Sequence, residues 1–96
     1  LLFLELFGMR SERLRELVRY LGPAQVAKKT GTEKPRWGTV AHNQKVKVRL
    51  DDLDALLEAF PQYELWLWKG EVDPTRGQVS PGYEEADSNL PNQNAG

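Results

Sequence analysis

Gly22-Pro23, Gly31, Pro61 and Gly70 divide most of this chain into segments too short for long helices, and the apolar spacing between these breaks is helical. Ser11 is a candidate N-cap, and Leu14, Leu17, Val18 and Leu21 follow at i, i+3, i+4 and i+7. This predicts a first amphipathic helix, with Arg13, Arg15 and Arg19 off its apolar stripe. Gly22-Pro23 stops it and starts a second, because proline suits the first helical position, where a backbone N–H would go unpaired anyway. The second helix runs from Pro23 to about Thr30, with Val26 and Ala27 inward and Lys28 and Lys29 outward; Gly31 ends it in a left-handed conformation.

A third helix is predicted from Glu33 or Pro35 to His42, with Trp37 and Val40 as its apolar pair, Ala41 adjoining and Asn43 as its left-handed terminator. "QKVKVR" then reads as a connecting loop in which Lys45, Lys47 and Arg49 alternate with Val46 and Val48. In the fourth helix Asp51 is the expected cap, Asp52 and Asp54 favour the positive end, and Leu53, Leu56, Leu57 and Phe60 form one stripe. Pro61 opens a last helix, Gln62 to Lys69, closed by Gly70. Tyr63, Trp66 and Leu67 share one of its faces, and Leu65 and Trp68 another. A helix apolar on two faces needs two neighbours: the core, and here a partner subunit.

Beyond Gly70 the chain is rich in Pro, Gly, Asn and acids, so residues 71–96 are expected to be an extended or disordered tail, pinned at most by Val72, Val79 and Tyr83. Residues 1–9 form an apolar N-terminal extension and residues 10–70 the folded domain. The first methionine is Met9, so "LLFLELFGM" is either sequence ahead of a native start near Met9 or a real helix that packs on the body or on a partner. It lacks the basic start and small-residue cleavage site of a signal peptide.

A chain of 96 residues supports one domain. The absence of Cys excludes disulfides, thiolate chemistry and Cys-based zinc, and a single His excludes a His-pair metal site. No apolar run approaches the ~20 residues of a membrane span, and a cytoplasmic protein is expected. The net charge of −1 hides a split: eleven Lys/Arg against three Asp/Glu from Arg10 to Arg49, and two against ten from Leu50 to Gly96. Such asymmetry points to a basic face for a polyanion, or to two halves that neutralise each other.

The segment "VAKKTG", followed six residues after Gly31 by Trp37 and then by Val40, resembles the helix-turn-helix DNA-binding domain of Xre/Cro-type, lambda-repressor-like regulators. The downstream "FPQYELWLWKGEVDPTRGQVSP" is similar to the C-terminal part of small Xre-like regulators of bacteria and prophages. The resemblance implies an all-α, five-helix lambda-repressor-like domain with an acidic C-terminal tail. It also implies a sequence-specific transcriptional regulator, a repressor in the absence of a separate sensor domain, acting as a homodimer on double-stranded DNA. Gly22-Pro23 stands where that class has a capping Ser/Thr-Gln, so phosphate contact there would fall to Gln25 or Lys28. Gly38 stands where serine is frequent, at a helix-propensity cost of about 1 kcal/mol.

On this reading Trp37 is a core anchor that presents Arg36 outward, and Lys34, Pro35, Gly38, Thr39 and His42 approach base edges. Asn43, Gln44, Lys45 and Lys47 suit phosphates, and Leu65 and Trp68 the dimer interface. No catalytic constellation, metal site or cofactor motif is present, so no enzymatic activity is expected. The alternative is a protein-binding regulator, antitoxin-like or anti-activator, that engages its partner through the N-terminal extension, Leu65/Trp68 or the tail.

Overall fold

The computed structural model describes residues 2–88, with side chains from residue 10 onward. The described residues form six α-helices: α1 (Leu2–Leu21), α2 (Pro23–Thr30), α3 (Lys34–His42), α4 (Leu50–Ala59), α5 (Glu64–Lys69) and α6 (Pro81–Ser88). Two short 3-10 turns, Pro61–Tyr63 and Pro74–Arg76, link the later ones. None of the described helices is long and apolar enough to cross a membrane.

The core is a single cluster. Leu14, Leu17 and Val18 of α1, Val26 of α2, Trp37, Val40 and Ala41 of α3, Leu56 of α4 and Trp66 and Leu67 of α5 bury their side chains together with Phe60 and Tyr63. Trp37 is fully buried, as its spacing predicts, and its indole N–H has no acceptor among the described residues. Gly31 ends α2 at φ 73, with its N–H bonded to the Ala27 carbonyl at 2.9 Å. A side chain there would be strained, which is why the glycine is needed at this turn.

Three local expectations are corrected. Ser11 is not an N-cap, because α1 runs through it without a break. Asn43 ends α3 in an extended conformation, φ −112, and its side chain accepts the Lys45 N–H instead. Asp51 is exposed and does not cap α4. Helix α4 starts two residues earlier than an Asp51 cap requires, at Leu50, and Asp52 reaches back to accept the Arg49 N–H at 2.8 Å.

The largest correction concerns the tail. Residues 71–88 are neither extended nor disordered. Asp73 and Gln78 exchange backbone hydrogen bonds of 2.8 and 2.9 Å around a turn closed by Gly77 at φ 73. The Gln78 side chain then bridges two groups, accepting from the Leu65 N–H at 2.9 Å and donating to the Pro61 carbonyl at 3.1 Å. It thereby satisfies an otherwise unpaired donor in the first turn of α5. Ser80 caps α6 by accepting the Tyr83 N–H at 3.0 Å, with Pro81 at the first helical position. Tyr63 donates its hydroxyl to Glu84, fastening α6 to the body. The tail expected over residues 89–96 lies outside the described residues, as do the side chains of residues 1–9.

Candidate nucleic-acid interface

The basic half of the chain separates into two populations. Its arginines are largely engaged with the protein itself. Arg15 is 4% exposed and donates to the carbonyls of Val40 at 2.7 Å, Asn43 at 2.9 Å and Val46 at 2.5 Å. Arg19 donates to Ala41 at 2.8 Å. Two cations on α1 thus hold the C-terminal carbonyls of α3, where the helix dipole favours positive charge. Arg13 and Arg10 do the same for α5, bonding the Leu67 and Trp68 carbonyls at 3.1–3.2 Å. Burial and the neighbouring Arg10 charge lower the Arg13 pKa. The expectation that Arg13, Arg15 and Arg19 simply lie off the apolar stripe is therefore corrected for Arg15, which is a buried clamp.

Arg36 also departs from its expected outward role. It forms a two-point ion pair with Asp52, Nε–Oδ1 3.2 Å and Nη2–Oδ2 2.5 Å, and donates to the Lys47 carbonyl at 3.3 Å. Asp52 is 6% exposed, so the pair fixes the start of α4 and the preceding loop against α3.

The lysines behave differently. Lys28 and Lys29 on α2, Lys34 on α3, and Lys45 and Lys47 on the following loop are all exposed, with no side-chain partner among the described residues. Gln25, Pro35, Thr39, His42, Asn43 and Gln44 are exposed on the same elements, and Gly38 is half-exposed. The outward strip of α3 therefore holds Lys34, Pro35, Gly38, Thr39 and His42, opposite the buried Trp37, Val40 and Ala41. Ten of the twelve expected contact residues are exposed, Gly38 is half-exposed and Arg36 is tied to Asp52, while Thr39 and Asn43 each also make a local hydrogen bond to the backbone. Lys29 and Arg49, exposed cations on the same elements, belong with them although the motif reading passed over both; their charge was the available signal.

The expected subunit face on α5 is partly covered from within the chain. Leu65 is half-buried, its N–H held by Gln78, and Trp68 is 37% exposed with the Arg10 guanidinium 5.0 Å from its ring centre. Beside Trp68 lies a half-open cavity of about 190 Å³ lined by Leu14, Val48, Leu50 and Leu53, with Arg10 and Arg49 at its edge. Leu50 is 70% exposed there. No group of three His, Asp or Glu side chains suited to a metal ion occurs among the described residues.

These features define a small all-helical protein in which α2, a turn and α3 present an unpaired, lysine-rich edge. No family model matches the chain, and no curated protein does. Among solved structures it is similar to Pf6r from the filamentous phage Pf6 of Pseudomonas aeruginosa PA01, with a TM-score of 0.70 and 36% identity over 84% of this chain and 95% of that one. The chain belongs to the family of this phage protein.

Proposed function

We propose that the protein is a sequence-specific DNA-binding transcriptional regulator, a cytoplasmic repressor without enzymatic activity, that lays α3 in the major groove. One observation carries this reading. The arginines of α1, together with Arg36, are tied to carbonyls and Asp52, whereas every lysine on α2, α3 and the loop to Arg49 is exposed and unpartnered among the described residues. A basic half that merely neutralised the acidic half would pair these lysines with carboxylates. Among the described residues it does not, and the two ion pairs found there, Arg36–Asp52 and Arg76–Asp73, involve no lysine. Membership of a phage family fits a regulator of phage or prophage genes. Acting as a homodimer, it would place two α3 helices in successive major grooves, roughly 34 Å apart.

The test is a salt titration of binding to the DNA upstream of the gene. Each phosphate neutralised contributes about −0.9 to the log–log slope, so in a dimer Lys45→Ala should flatten the slope by about two units and weaken all duplexes alike. Absent or salt-insensitive binding by the parent protein would leave the protein-partner reading. The apolar cavity beside exposed Leu50 and Trp68 favours that second reading, because it offers a notch into which an apolar side chain of a protein partner can dock.

A further inference from the structure

Gly38 sits in the middle of α3 with no internal reason to be glycine. Its φ is not among the positive values, which occur at Gly22, Gly31, Gly70 and Gly77. A Cβ built on it meets nothing within 4 Å, so no neighbouring side chain or backbone needs the space. An alanine would fit and would favour the helix. The room beside Gly38 is open on the outward strip, flanked by exposed Pro35, Thr39 and His42 at helical spacing.

Thr39 supplies the second observation. Its Oγ lies 2.9 Å from the Pro35 carbonyl, and a carbonyl can only accept, so the hydroxyl proton is committed inward. Thr39 is exposed, so its oxygen keeps lone pairs to accept from a ligand and its methyl group adds an apolar contact. The strip therefore offers a hydrogen-bond acceptor beside an apolar shelf made of the Pro35 ring, the Gly38 Cα and the Thr39 methyl. In the major groove, adenine N6 presents a donor and thymine a C5 methyl, whereas a G·C pair presents an amine without a methyl.

We infer that Gly38 and Thr39 form the specificity contact of the interface, with an A·T step seated on α3: the thymine methyl against the backbone at Gly38, the adenine amine donating to Thr39 Oγ. The inference rests on the DNA-binding reading and names what that site reads.

Selection of binding sites from random duplexes by the parent protein, Gly38→Ala, Thr39→Val and Thr39→Ser tests it. The parent should select a site with an A·T pair whose preference Thr39→Ser keeps and Thr39→Val loses, at a cost of roughly 5- to 150-fold on the selected site and little on random DNA. Replacing the thymine by uracil, or the adenine by 2-aminopurine, should weaken the parent several-fold. Gly38→Ala should raise Tm by about 4–8 °C, yet lower affinity for the selected site about tenfold or more while leaving random DNA unchanged. That pairing of greater stability with weaker binding is not expected of a glycine serving the fold. The inference is overturned by a G·C pair at the Thr39-dependent position, by indifference to uracil, by undiminished binding of Gly38→Ala, or by a lowered Tm for it. If the parent selects no sequence at all, the DNA-binding reading itself fails, and the wild-type arm alone shows it.

Discussion

Trp37 and Arg15 are both buried, and they stabilise the same helix by different physics. Trp37 fills the centre of the core with a large ring. Trp37→Ala should cost about 3–5 kcal/mol, the range for deleting a buried aromatic, and thermal melting should show most of a marginal domain unfolded. Trp37→Phe keeps most of the apolar volume and removes a buried N–H that lacks an acceptor, so its cost should stay near 1–2 kcal/mol. Equal losses for the two variants would show that the indole N–H matters more than the ring volume. Arg15 works through three carbonyls from Val40 to Val46. Arg15→Met keeps the aliphatic stem but strands those acceptors, at a cost of about 3 kcal/mol. Hydrogen exchange should then quicken first at residues 40–46, where the loop bearing Lys45 is released.

Helix α6 depends for its place on the turn at residues 73–78 and on Tyr63. The Tyr63 hydroxyl is pushed up above the usual tyrosine range, first by burial and then by the Glu84 carboxylate that accepts its hydrogen bond. The nearby Tyr20 shifts in the same direction, through burial and Glu84. A phenol raised in the folded state stabilises the protein fully below the unfolded tyrosine value of about 10, and this contribution is lost as pH climbs from there toward the folded value. Unfolding free energy should therefore fall above about pH 10, and Tyr63→Phe should remove part of that alkaline slope while lowering stability at pH 8 by about 1 kcal/mol. Denaturant melts of both proteins between pH 8 and 11 measure the difference; identical alkaline slopes would rule out Tyr63 as its source. The Arg36–Asp52 pair plays a similar part for α4. Asp52→Asn should cost about 2 kcal/mol, below the figure for a fully buried pair because the Arg36 side chain is 21% exposed.

At the scale of the whole molecule, the proposal predicts how copies associate. The proposed homodimer uses the second face of α5, where Trp68 remains partly exposed although Gln78 and Arg10 cover its flanks. Leu65→Asp combined with Trp68→Ser should give a folded monomer with weakened DNA binding. Sedimentation of the parent protein decides the matter: a monomer at high micromolar concentration would exclude that interface.

What the sequence determined by itself is local. Pro23 and Gly31 set the limits of α2, the 3.6-residue period turned Trp37, Val40, Leu56 and Phe60 inward, and Lys28, Lys34 and Lys45 stayed outside, because turn chemistry and burial of an apolar stripe act within a few residues. The Ser80-Pro81 start of α6 was equally readable as a cap followed by a first-turn proline, but the surrounding Gly and Pro and the scarcity of apolar spacing masked it. The partners of the charged side chains could be settled only by the tertiary structure. Arg36 finds Asp52 sixteen residues away, Arg15 finds carbonyls 25–31 residues away, and Arg10 finds one 58 residues away. An arginine reads alike in sequence whether it will meet a phosphate or a helix end. Which of the two it meets is fixed by which unpaired carbonyls the packed helices bring within reach, because a buried acceptor left unmet costs more than an exposed cation gains in water.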